Sequence, residues 1–114
     1  RVFYPRYTRA EVLAALRERL PELERRLPLR LVALFGSYGR GNYSVRSDID
    51  LLVVVPDPGD RRRESVQLRQ TLSGLDYPFD VIVVSSEWFD ESKDVVGGIA
   101  YPANKYGKLI YEAA

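Results

Sequence analysis

The feature that most constrains this chain is the run Ile49-Asp50-Leu51-Leu52-Val53-Val54-Val55, headed by Asp48. Beyond its carboxylates the run is apolar throughout, so neither of its faces suits water. A strand of this kind is normally covered on both sides, which predicts a sheet with helices packed against it. In an extended strand successive side chains point to opposite faces, so Asp48 and Asp50 project together while Ile49 projects away. Two carboxylates held that close repel each other. Either one takes up a proton or a cation sits between them. Oxygen-only ligands suit a hard divalent ion such as Mg2+, which keeps several waters and is commonly completed by substrate phosphates. The pair therefore points to a nucleotide.

Upstream, Leu29 to Phe35 reads as a first strand that delivers the chain to Gly36-Ser37. A glycine after a strand lets the backbone approach a ligand closely, and N–H groups at such a turn form an anion-binding concavity. Ser37 adds a hydroxyl donor. Arg40 and Arg46 lie in the same segment, where each could give two donors to phosphate oxygens or simply be a solvated loop charge. Gly-Ser alone is only a turn, and Asp-x-Asp alone is a common polar start to a strand. Their order and spacing carry the signal.

The string GSYGRGNYSVRSDIDLLVV (Gly36 to Val54) resembles the minimal nucleotidyltransferases, or MNT proteins, of the polymerase beta-like nucleotidyltransferase superfamily. In that family the Gly-Ser binds the triphosphate, and the two aspartates with a third on a later strand hold two Mg2+ ions. The resemblance assigns the first role to Gly36 and Ser37 and the second to Asp48 and Asp50, and it puts the third carboxylate on Asp80 in Phe79-Asp80-Val81-Ile82-Val83-Val84. It extends to Gly107-Lys108-Leu109-Ile110-Tyr111-Glu112, which is similar to the family's closing Gly-x-x-x-Tyr-Glu. Many relatives have alanine where Gly39 stands, which reads as a mild departure. The implied reaction is transfer of AMP from ATP to a hydroxyl, with Asp80 also able to take the acceptor's proton. MNT proteins are often paired with HEPN proteins as toxin–antitoxin modules, so the implied acceptor is a tyrosine of a HEPN-domain partner. A small-molecule acceptor, as in the aminoglycoside enzymes, a nucleotide-binding module without turnover, and neutralisation of a partner by binding alone are the alternatives.

Around this centre the rest of the chain reads as support. Thr8 precedes Glu11 by three positions, a capping box, and Val12, Leu13, Leu16, Leu20, Leu23 and Leu27 follow at helical spacing. The stripe is too short for a sustained heptad, so it predicts a helix on its own sheet, kinked or restarted at Pro21. Gly39, Gly41 and Asn42 suggest a hairpin-like return, making the second strand antiparallel to the first. Pro56 to Gly59 forms a turn. A second helix over about 60–73, with Val66, Leu68, Leu72 and Leu75 inward and Gly74 as its stop, is long enough to cross between parallel strands. A third strand, Phe79 to Val84, then runs parallel to the second. The end of the first strand and the starts of the next two meet at one edge, where Ser37, Asp48, Asp50 and Asp80 converge. An aspartate at a strand start can also do no more than solvate a turn. Ser85-Ser86-Glu87 caps a short helix carrying Trp88 and Phe89, a further helix is expected from Ile99 to Tyr106, and a short strand runs to Tyr111. Trp88, Phe89, Tyr101, Tyr106 and Tyr111 read as core or, alternatively, as a partner surface. Arg61-Arg62-Arg63 sits unfavourably at a helix start, either as solvated charge or facing an acidic partner.

Composition narrows the chemistry. With 114 residues, the chain is expected to form a single domain spanning 1–114, of mixed α/β (α+β) class, leaving no room for the acceptor-binding domain of larger relatives. There is no cysteine and no histidine, which removes disulfides, the usual zinc sites, Ser-His-Asp triads and cysteine nucleophiles. It also rules the chain out as the HEPN partner, whose nuclease motif needs a histidine. Net charge of +1 gives no global field toward nucleic acid. No apolar stretch approaches ~20 residues, and no signal-peptide pattern opens the chain, so a cytoplasmic protein is expected. The start at Arg1 without any methionine implies that the natural N-terminus lies elsewhere. A homodimer is compatible with all of this.

Overall fold

Thr8 opens the first helix, α1 (Arg9–Arg26), by accepting from the Glu11 N–H at 3.1 Å while Glu11 reaches back to the Thr8 N–H. This reciprocal bonding satisfies donors that a helix start otherwise leaves unpaired. The helix runs continuously through Pro21, so the restart expected there does not occur. Leu16 and Leu23, on either side of the proline, are both 1% exposed. Their burial in one core offsets the hydrogen bond that proline cannot make. The computed structural model describes residues 7–41, 49–56, 59–75, 77–98, 105 and 107–113, apart from the side chains of Ser37, Arg40 and Arg61.

Among the described residues four strands follow: β1 (Leu31–Phe35), β2 (Ile49–Val55), β3 (Phe79–Ser85) and β4 (Lys108–Glu112). They lie in the order β3-β2-β1-β4, with β1 antiparallel to both β2 and β4 and β2 parallel to β3. The parallel pair needs a crossover, supplied by α3 (Arg61–Leu72), which Asp60 caps by accepting from the N–H groups of Arg62 and Arg63. Between β1 and β2 the chain forms a short helix, α2 (Gly36–Arg40), where the sequence suggested only a glycine-rich loop. Ser85 caps α4 (Ser86–Ser92) by accepting from the Trp88 N–H at 3.0 Å.

The expected double burial of β2 is complete. Val32, Leu34, Ile49, Leu51, Val53, Val55, Val81 and Val83 join the leucines of α1 and α3 in one cluster. Phe35, Leu52, Val54 and Val84 pack with Phe89 of α4 on the other face. Every apolar side chain of β2 is fully buried, each contributing roughly 1.5–3 kcal/mol of hydrophobic stabilisation. In α3, Leu68 and Leu72 are inward as expected, but Val66 is 48% exposed. It stands two residues before Leu68, nearly opposite it around the helix, while Thr71 takes the remaining inward place. Gly74 falls inside a 3-10 turn (Ser73–Leu75) instead of directly stopping α3. The helix expected over 99–106 lies almost wholly outside the described residues, as do Tyr101 and Tyr106.

Candidate active site

The site is built where β1 ends. Gly36 has φ +63°, the left-handed region that glycine adopts without penalty, and this turns the chain from β1 directly into α2. A second constraint acts at the same atom. A Cβ on Gly36 would collide with Oδ2 of Asp50, so the Asp50 carboxylate occupies the space a side chain would need. The Gly-Ser turn and the Asp-x-Asp strand are therefore in direct contact across the sheet.

Register adds the second carboxylate. Phe35 is the Cα partner of Asp50, and Asp50 is the Cα partner of Asp80 on β3. Partners on adjacent strands share a face and stand about 4.8 Å apart, so both carboxylates emerge side by side from the face that carries Leu52 and Val54. Ile49 points the opposite way into the other cluster, fully buried. Asp50 is half-buried and Asp80 is exposed. The helix on that face, α4, covers the far end of the sheet. Arg30 fixes it there, donating to both Asp90 oxygens at 2.7 and 2.9 Å and to the Ser86 carbonyl at 3.3 Å. These bonds hold the Asp90 carboxyl below its ordinary range and raise the Arg30 guanidinium.

Ser37 follows Gly36 within α2 and Arg40 closes that helix, with both side chains outside the described structure. Asp48 and Arg46 lie outside the described residues altogether. Of the sequence-predicted set, the structure thus brings Gly36, Asp50 and Asp80 together. It also reveals what seats α2. Tyr38 is 1% exposed, and its hydroxyl donates to the Tyr7 carbonyl at 2.9 Å. A Cβ on Gly39 would lie 2.7 Å from the Leu34 carbonyl oxygen and 3.3 Å from Cα of Gly107. The departure at Gly39 thus coincides with a tight backbone contact between α2, β1 and the approach to β4, away from the carboxylates. Both residues lay inside the glycine-rich string, and the signal for Tyr38 was a large aromatic in the middle of it. A cavity of about 180 Å³ lined by Arg69, Leu72, Ser73, Tyr77, Phe79 and Val81 opens on the opposite face, since Phe79 and Val81 alternate with Asp80. It is separate from the carboxylates.

The site thus combines a left-handed glycine turn, packed against the Asp50 carboxylate, with the Asp80 carboxylate in register on the neighbouring strand of a mixed sheet. The model of the nucleotidyltransferase domain matches residues 14–99, and the chain belongs to that family. None of the curated proteins matches it. Among solved structures, the chain is similar to a candidate nucleotidyltransferase from Sulfolobus solfataricus at 24% identity and TM-score 0.60, over 91% of this chain and 83% of that one. It is also similar to a chain of a toxin–antitoxin complex with AMP-PNP at 25% identity and TM-score 0.56, over 85% and 73%. A third likeness is to a toxin–antitoxin MntA complex in doubly substituted form, at 22% identity and TM-score 0.51, over 94% and 75%. The mixed sheet with helices packed on it is a nucleotidyltransferase fold.

Proposed function

We propose that this chain transfers AMP from ATP to a hydroxyl acceptor, in a Mg2+-dependent reaction, and that the acceptor is a tyrosine of a HEPN-domain toxin that it counteracts. The observation that carries the reading is the contact between Gly36 and the Asp50 carboxylate, with Asp80 in register beside it. It fits divalent metal because the donor set is all oxygen, the two acids face one side about 4.8 Å apart, and the missing side chain of Gly36 leaves room for Asp50. Family membership supports nucleotidyl transfer, and the toxin–antitoxin relative solved with AMP-PNP supports an adenine nucleotide. The partner's class rests on the resemblance of the Gly36–Val54 string to MNT proteins.

Asp48, Asp50 and Asp80 are the residues that would hold the metal, and bound metal would neutralise triphosphate charge and lower the acceptor hydroxyl's pKa. Gly36 and Ser37 hold the outgoing phosphates, helped by Arg40 and Arg46, so that the acceptor faces the α-phosphorus in line. The acceptor oxygen bonds to that phosphorus as the bond to the bridging oxygen breaks, and pyrophosphate leaves with the electron pair. Asp80 takes the hydroxyl proton.

The test follows label from α-labelled ATP, with Mg2+, onto a HEPN-type partner encoded beside this chain and co-expressed with it. Label on the partner that vanishes in the Asp48→Asn/Asp50→Asn double variant is the expected result. A stable complex that binds ATP yet transfers no label would overturn the proposal and favour a small-molecule acceptor or a binding-only module.

A further inference from the structure

Asp80 sits at the start of an edge strand. Among the described residues β3 pairs only with β2, and the Asp80 side chain is exposed, so its own packing does little to fix it. Metal–oxygen bonds near ~2.1 Å tolerate little drift in a ligand. Something else must hold the entry to β3.

The contacts behind the strand converge on Tyr77. Its hydroxyl donates to Oε1 of Glu11 at 2.9 Å, while the other Glu11 oxygen accepts from the Thr8 N–H in the capping box. Its ring meets Tyr7 edge-on, with centroids 4.8 Å apart at 89°, and meets Phe79 at 5.8 Å and 76°. Its carbonyl accepts from the Phe79 N–H at 2.9 Å, and the next carbonyl, that of Pro78, accepts from the Ile49 N–H at 3.2 Å. Tyr7 in turn accepts the Tyr38 hydroxyl bond from α2. A continuous series of contacts therefore runs from the helix that begins at Gly36, through Tyr38, Tyr7 and Tyr77, to the strand that presents Asp80. Tyr7, Tyr77 and Phe79 pack against the cluster on the α1 and α3 side, opposite the carboxylates. None of them reaches a ligand on the Asp80 face, so they act through the backbone of β3.

We propose that Tyr77, held by Glu11 and by the ring of Tyr7, is a positioning residue that sets Asp80 against Asp50 and Gly36; this rests on reading those carboxylates as metal ligands. Groups bonded directly to metal ligands typically change metal affinity by about 10–100-fold when removed, and Tyr77, acting through the backbone, falls at the lower end of that range. The test titrates the full chain with Mn2+ alone, followed by electron paramagnetic resonance. Tyr77→Leu is expected to bind Mn2+ about 10-fold more weakly, and Tyr77→Phe, which keeps the ring contacts, to lie between it and wild type. Arg30→Ala, which frees α4 at the far end of the sheet, serves as a destabilised control and should keep wild-type affinity. Wild-type affinity in Tyr77→Leu, or an equal loss in Arg30→Ala, would overturn the positioning role. Asp50→Asn tests the underlying reading separately: unchanged affinity there removes that reading and the positioning role with it.

Discussion

Replacing Gly39 with alanine separates local helix preference from tertiary seating. Alanine is preferred to glycine in a helix by about 1 kcal/mol, so on propensity alone Gly39→Ala should stabilise α2. The structure opposes this. The new methyl would stand 2.7 Å from the Leu34 carbonyl oxygen, 3.1 Å from its carbon and 3.3 Å from Cα of Gly107, inside the 3.4 Å at which ordinary contact begins. All three atoms are backbone, so no rotamer change relieves the overlap, and the helix or β1 must shift. Overpacking typically costs 1–3 kcal/mol, and the lack of a compliant neighbour puts this case at about 2–3 kcal/mol. Subtracting the propensity gain leaves a net loss of about 1–2 kcal/mol. At roughly 4–8 °C per kcal/mol for a domain near this size, the Tm should fall by about 4–16 °C. Thermal unfolding followed by circular dichroism reads this directly. An unchanged or raised Tm would refute the reasoning, because it would mean α2 is not seated against Leu34 and Gly107 as described.

Gly36→Ala meets two penalties, a left-handed backbone costing about 1–2 kcal/mol and displacement of the Asp50 carboxylate; nucleotidyl transfer should fall about 100-fold, beyond what the loss of Tm accounts for. Retained transfer would show that Asp50 is not constrained by Gly36. The Asp90 carboxyl is held below its ordinary value by Arg30, so its contribution is fully present above the unfolded value near ~3.9 and is lost as pH falls through the lower folded value. The Tm gap between wild type and Asp90→Asn should accordingly close in acid, and a gap that persists unchanged at pH ~2 contradicts the pairing. Burial and then the Glu11 bond raise the Tyr77 phenol, so that stabilisation is present below the unfolded value of about 10 and disappears as pH rises through the folded one. Tyr77→Phe should be less sensitive to alkali than wild type in a pH series of denaturant unfolding.

Much of the fold was legible because its signals are local. Thr8 and Glu11 announced α1, the Leu68/Leu72 spacing marked α3, and the unbroken apolar run after Asp50 required a covered central strand. The parallel pairing of β3 followed from the length of the connection between Val55 and Phe79. Errors arose where a local rule met a longer-range demand. Pro21 was expected to kink or restart α1, and the helix does not restart there, because Leu16 and Leu23 share one core. Val66 looked like an inward position until the helical phase set by Leu68 and Leu72 turned it outward. The string after Phe35 read as a loop because glycines favour turns, yet burial of Tyr38 holds it as a helix.

The residue types at the site, two spaced acids after a glycine turn and a third opening the next strand, were set by sequence alone, since spacing along a strand fixes which side chains share a face. Their juxtaposition depended on pairing between strands that are distant in sequence. Only the folded sheet put Asp80 in register with Asp50 and pressed the Gly36 Cα beneath the Asp50 carboxylate. The same is true of Gly39 against Leu34 and Gly107, and of Tyr77 bonded to Glu11 across 66 positions of chain. Hydrophobic periodicity records burial without saying what lies on the other side of a contact, and that partner is decided when the sheet closes and its helices dock.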